Sequence, residues 1–133
     1  MSDVSAASSI LTTLKRDGRP QQSVVAHHYD AATHTVRVSL TDSRAKTRNL
    51  RRDPRANYMV TREGFEGYVV GEGIAELTPV TTDPGDATAD ALVELYRAVA
   101  GEHADWDEYR AAMVADQRLV LSLRLDHLYG MVR

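Results

Sequence analysis

Residues 35–55 limit the fold more than any other passage of the chain. Val36, Val38 and Leu40 alternate with Thr35, Arg37 and Ser39, the two-residue period of a half-buried strand. The pattern then changes at once to the basic run Ser43-Arg44-Ala45-Lys46-Thr47-Arg48-Asn49-Leu50-Arg51-Arg52. Ser43 suits a helix N-cap and Pro54 forbids helix beyond Asp53, so about two to three turns of helix are predicted. A further strand pattern, residues 57–62, follows. Six of the 16 Lys and Arg residues fall between positions 44 and 55, although the formal net charge is -3. Such a cluster is either a solvated helix face or a seat for an anion. A strand that hands over to a helix start offers free backbone N–H groups and the positive end of a helix dipole, which suits phosphate.

The rest of the chain reads as strands with a helical excursion. Residues 10–14 form a first strand, and Asp17-Gly18 turns the hairpin into a second, predicted over Gln21–Tyr29. Tyr68–Leu77 is a strand interrupted by Gly71 and Gly73, the mark of a bulge or of the sharp bend that a small closed barrel requires. Residues 78–85 read as a mobile surface loop. One helix is predicted over Thr88–Ala100, with Leu92, Leu95, Tyr96 and Val99 on one face and Gly101 as its stop. A second starts at Asp105, with Glu108 in capping position, and carries Trp106, Tyr109 and Met113 along one side. Trp106 reads as a core residue. Leu119, Leu121, Leu123 and Leu125 then alternate through a closing strand. The expected architecture is a β-barrel with appended helices, in a single domain over residues 1–133.

Several chemistries are excluded. Zero cysteines remove disulfides, thiolate catalysis and iron–sulfur clusters. His27 and His28 are adjacent, face opposite sides of a strand and cannot share one ion; no metal-ligand spacing exists. There is no Gly-x-Ser-x-Gly elbow and no Gly-x-Gly-x-x-Gly after a strand. An acidic chain does not suit general nucleic-acid binding, and no apolar run is long enough to span a membrane. Met1-Ser2-Asp3-Val4 lacks the features of a signal peptide, so a cytoplasmic location is expected. No residue declares itself catalytic, which suits an enzyme whose cofactor carries the hard step.

Ser43-Arg44-Ala45-Lys46-Thr47-Arg48-Asn49-Leu50 followed by Asp53-Pro54 resembles the phosphate-binding segment of the pyridoxamine 5'-phosphate oxidase-like split β-barrel flavoproteins. With Thr12, Leu14 and Asp17-Gly18-Arg19-Pro20-Gln21, it is similar to the actinobacterial branch that uses the deazaflavin coenzyme F(420). Gly73-Ile74-Ala75-Glu76-Leu77-Thr78-Pro79, the stretch Ala100–Trp106 and His127-Leu128-Tyr129-Gly130 extend the match. The resemblance implies a split β-barrel of about six to seven strands with appended helices. It also implies a homodimer with the cofactor at the subunit interface, and hydride transfer between coenzyme F(420) and an organic acceptor. FMN is the alternative cofactor, and a non-catalytic flavin or deazaflavin carrier the alternative role. By the same resemblance Lys46 is the main phosphate partner, Arg44 a second cation, and Ala45 contributes its backbone N–H. Ser39 meets the cofactor or solvent, and Asn49 contacts the cofactor or holds a loop. Gln21 and Ser23 lie where the family's ring rests, and His127 either reaches across the dimer or is structural. Coenzyme F(420) carries an acidic oligoglutamate tail that FMN lacks, so Arg48, Arg51, Arg52 and Arg55 are expected to form a cationic track beyond the phosphate.

Overall fold

A computed structural model describes residues 9–61 and 67–131. Ten elements follow one another: β1 (Ser9–Leu14), β2 (Pro20–Val24), β3 (His28–Asp30), β4 (Thr35–Thr41), α1 (Ala45–Arg52), β5 (Arg55–Thr61), β6 (Tyr68–Leu77), α2 (Ala87–Ala100), α3 (Trp106–Ala115) and β7 (Arg118–Met131). The strands form one antiparallel sheet in the order β2-β1-β5-β6-β7-β4-β3. One face of it wraps a core of Leu11, Val36, Val38, Leu40, Tyr58 and the β7 leucines 119, 121 and 123, into which Leu50 of α1 inserts. Two or three buried methylenes per side chain, across so many strands, make this apolar burial the main stabilising term.

The sheet does not close. Its edges are β2 and β3, which are neighbours in the chain. An open sheet of seven strands is the split barrel that the resemblance implies, and it corrects only the unbroken second strand expected over Gln21–Tyr29. At Val25 the chain leaves β1, its N–H donating to the Ser9 carbonyl at 3.1 Å, and the Val25 side chain packs on the core. His27 then sets its ring edge against Tyr58, with centroids 4.9 Å apart, and β3 pairs with β4 instead. One strand cannot serve both edges, so the run divides where the barrel splits.

Turn chemistry follows the sequence elsewhere. Gly18, at φ 87°, closes the β1–β2 turn, where Lys15 N–H donates to the Arg19 carbonyl at 2.8 Å. β6 and β7 carry the expected irregularity between Glu72 and Gly73. A Cβ at Gly73 would collide with the Arg124 carbonyl, so the strands approach there as only glycine permits. β5 begins at Arg55, earlier than expected; residue 62 and the loop read after it lie outside the described residues.

The loop over residues 78–85 is anchored rather than a free excursion. Thr78 N–H donates to the Val120 carbonyl at 3.0 Å and Thr81 N–H to the Arg118 carbonyl at 2.9 Å. Asp86 caps α2, accepting from Ala89 N–H at 2.7 Å, and also accepts from Thr81, Thr82 and Asp83. These donors hold its carboxyl at about 2. Asp105 caps α3 by accepting from Glu108 N–H at 3.1 Å, as predicted. Leu92 and Leu95 pack with Val120 on the outer face of β7, whereas Val99 lies beyond the sheet and is exposed. Trp106 belongs to no core cluster: it meets Tyr96, His103 and Tyr109 at the α2–α3 junction, under the Arg97 guanidinium.

Candidate functional site: the basic end of the sheet

The site is built around α1. This helix holds to the sheet through Leu50 and through Thr47, whose hydroxyl donates to the Thr41 carbonyl at 2.8 Å. Ser43 is not its cap. Arg44 stands at the N-cap without a side-chain bond, and the first turn holds no acidic residue. The Arg44 carbonyl accepts from the N–H groups of Thr47 and Arg48, but those of Ala45 and Lys46 have no acceptor among the described residues. The start of α1 therefore keeps two backbone donors open at the positive end of its dipole.

Lys46 stands on that first turn, half-buried, with no hydrogen bond or ion pair among the described residues. Its ammonium pKa is lowered, first by burial and then by the charges of Arg44 and Arg118. A cation held among cations, short of water, gains from an anion. Arg118, at the start of β7, donates from Nη1 to the Ser39 hydroxyl at 3.3 Å. Its Nε is buried without a hydrogen-bond acceptor, lying 3.8 Å from Asp116. Arg44, Ala45 and Lys46 thus gather at one helix end, and Ser39 joins them through Arg118. The donor set, two open amides, an ammonium and guanidinium groups, fits a phosphate-bearing cofactor.

The opposite flank of α1 faces the β1–β2 turn across a cleft of about 270 Å³, lined by Lys15, Arg16, Gln21, Ala45, Arg48, Asn49 and Arg52. Asn49 is 6 % exposed and fully engaged. Its amide donates to Gln21 Oε1 at 2.8 Å and to Thr13 Oγ1 at 3.2 Å, and its carbonyl accepts from Arg52 at 3.0 Å. Asn49 thus pins the hairpin to the helix. Ser23 shares the Gln21 face of β2, in register with Leu11. His127 is apart from these groups: it pairs with Glu72 inside β7, which continues to Met131, and lines a separate depression with Arg55, Asn57 and Asp126.

Sequence reasoning missed Lys15, Arg16 and Arg118. The first two read only as turn residues, and nothing local announces that the turn folds back onto α1. Two arginines of the expected track are neutralised. Arg51 pairs with Asp42, and Arg55 forks onto Asp53 at 2.7 and 3.0 Å, holding that carboxyl at about 2. No group of His, Asp and Glu able to hold a metal occurs among the described residues, and no described helix is long and apolar enough to cross a membrane.

No family model matches the chain. Among solved structures it is similar to an F(420) reductase, at 21% identity and TM-score 0.67, covering 93% of this chain and 90% of that one. It is also similar to a pyridoxamine 5'-phosphate oxidase-related, FMN-binding protein from Nostoc punctiforme, at 15% identity and TM-score 0.65, over 96% and 74% of the two chains. A heme-binding protein from Mycobacterium smegmatis matches at 23% identity and TM-score 0.67, over 96% of this chain and 50% of that one. At these identities the comparison establishes fold, and it agrees with the resemblance read from residues 10–130. The chain has the split β-barrel fold, mainly β with appended helices, that these proteins share.

Proposed function

We propose that this protein is an oxidoreductase that binds the deazaflavin coenzyme F(420) and exchanges a hydride between it and an organic acceptor. One observation carries the reading: the uncapped start of α1, with the open N–H groups of Ala45 and Lys46 beside the unpaired cations Lys46 and Arg44. That arrangement suits the coenzyme's phosphate, and the shared fold with an F(420) reductase points the same way. When bound, the coenzyme supplies the hydride. The chain's own residues hold the phosphate at α1, and Asn49 fixes the hairpin that carries Gln21 and Ser23 beside it. Binding energy spent on phosphate in this way orients a ring against its substrate without touching the reacting atoms.

A homodimer of single-domain protomers, working in the cytoplasm, completes the proposal. Val24, Ile10, Met59, Val70 and Tyr129 align in register across β2, β1, β5, β6 and β7, on the face opposite the core. Val24 is 78% and Tyr129 46% exposed, while α2 and α3 pack over β7, β4 and β3 instead. His127 lies two residue pairs from this row, where a second copy would meet it. Sedimentation of wild type and of Tyr129→Asp tests this; a monomeric wild type rejects it.

The cofactor is tested by titrating the protein with coenzyme F(420) and with FMN, followed by fluorescence at two salt concentrations. Unpaired cations beyond the phosphate seat favour the former, and its binding should weaken more steeply with salt. Equal affinities with equal salt dependence would transfer the reading to FMN, which the FMN-binding structural relative also favours. Tight binding without turnover of quinones, tetrapyrroles or conjugated enones would leave a carrier.

A further inference from the structure

α2 does not close onto the sheet along its whole length. Leu92 and Leu95 pack with Val120, but beside them the helix offers β3 and β4 only the methyls of Ala91 and Ala98. A cavity of about 350 Å³ is left between helix and strands. Its other wall is a cross-strand row. Ser122 of β7 pairs with Arg37 of β4, and Arg37 with His28 of β3, so the three side chains share the outer face of the sheet with Val120. Strands lie about 4.8 Å apart, which makes the row about 10 Å long. Its polar groups are under-used. Arg37 meets a carboxylate only in Asp30, at 3.9 Å, beyond hydrogen-bond length. The Ser122 hydroxyl and the His28 ring make no hydrogen bond among the described residues. The Thr78 hydroxyl accepts from Val120 N–H at 2.9 Å and keeps its own hydrogen to donate. Glu94, the one acid on the lining among the described residues, pairs with Arg97 at 3.0 Å.

We infer that this cavity binds a small carboxylic acid with a compact apolar body, at a site separate from the phosphate seat. Ser39, Arg44, Lys46 and Arg118 do not line it, so the inference stands apart from the function proposed above. An ionised carboxylate offers acceptors alone, the complement of Arg37, Ser122 and Thr78. The planar guanidinium can meet both of its oxygens at once, a stronger contact than the loose one with Asp30. Asp30 keeps the Ala32 N–H, at 3.0 Å, for its other oxygen. Leu95, Val120, Ala91 and Ala98 form the apolar wall that would cover the body of the ligand. The volume lies at the low end of the range for small-molecule sites, so one ring or a short branched chain fits and a long acyl chain does not. An inorganic anion would leave the apolar wall uncovered. A wholly apolar ligand would bury the donors without an acceptor, which is costly.

The test titrates the whole protein with phenylacetate and with its uncharged isostere phenylacetamide, followed by amide shifts in NMR spectra. Phenylacetate should bind with a millimolar dissociation constant or better and shift residues 28, 37, 78, 91–98 and 120–122. Phenylacetamide should bind about tenfold more weakly, for want of the charge. Arg37→Gln alters a side chain 39% exposed, and should weaken phenylacetate about tenfold while leaving phenylacetamide unchanged. Ala98→Leu keeps a good helix former at an exposed position of α2 and fills the cavity, so it should abolish binding of both probes. Absence of shifts with phenylacetate, equal affinity for the two probes, or binding that persists in Ala98→Leu each overturns the inference. Should Ala98→Leu fail to fold, Arg37→Gln decides alone: an undiminished affinity for phenylacetate overturns the site.

Discussion

Lys46→Ala should separate binding from folding. Bound to a phosphate, the lysine makes a charge-assisted hydrogen bond, and removing it should cost about 1.5–3 kcal/mol of affinity, or roughly 10- to 150-fold in Kd. Stability should respond differently. Lys46 has no partner among the described residues, and its pKa is lowered by burial and by Arg44 and Arg118. With the folded pKa below that of the unfolded chain, the unfolded state holds more protons between the two values. Stability therefore rises with pH through that alkaline window, and at neutral pH the charged lysine is an expense to the fold. Truncation should leave the urea midpoint unchanged or slightly higher. Fluorescence titration gives the affinity and urea unfolding the stability of the same preparation. An unchanged Kd would place the phosphate elsewhere, and a stability loss above about 1 kcal/mol would show that Lys46 supports the fold through its own packing.

Asn49→Ala should cost about 1–3 kcal/mol in urea unfolding, because Thr13, only 1% exposed, loses its amide donor and Arg52 loses an acceptor. Gly73→Ala should cost a comparable amount through overpacking, since the new methyl meets the Arg124 backbone; a neutral result would mean that β6 and β7 can part at the bulge. His27 is held neutral by burial and by the charge of His28, so its folded pKa lies below the usual 6.5. The unfolded chain then takes the proton first as pH falls below 6.5, and stability should decline there with a slope that His27→Phe flattens. Asp53 and Asp86, near 2, act only on a separate acid limb below about pH 4. Unfolding midpoints measured from pH 7 to 5 distinguish the two.

Local chemistry made much of the fold legible. The alternation of Val36, Val38 and Leu40, the Asp17-Gly18 turn, the glycines of β6 and the Asp105 cap each have near-neighbour causes, and the structure places them as read. What escaped depends on contacts distant in sequence. Whether residues 21–29 make one strand or two is decided by β1 and β4 competing for them, which no short window contains. Ser43 lost the cap because Thr47 bonds the Thr41 carbonyl and so draws the helix start one residue later. At the site, Arg44, Ala45 and Lys46 were legible because they are consecutive. Lys15 and Arg16 were not, because Asn49 reaches 28 residues back to Gln21 to bring their turn against α1.

The charges of α1 add an argument of their own. A helix is favoured by acids in its first turn and cations in its last, and by a capping side chain at its start. α1 has Arg51 and Arg52 in the favourable last turn, but its start has Arg44 in place of a cap, Lys46 within the turn and no acid. Eight residues are too few to form a stable helix alone, so packing must offset this local disadvantage. The buried Thr47, Asn49 and Leu50 supply that packing on one side and leave the helix start unneutralised. Sequences usually agree with their folds at every level, and a local rule broken where packing can bear the cost marks a site kept for something other than stability. Elsewhere the chain follows the rule: Asp86 and Asp105 cap α2 and α3, whose first turns carry Asp90, Asp107 and Glu108. Among the described helices only α1 is left with its positive end open, and an arriving anion would supply the missing charge.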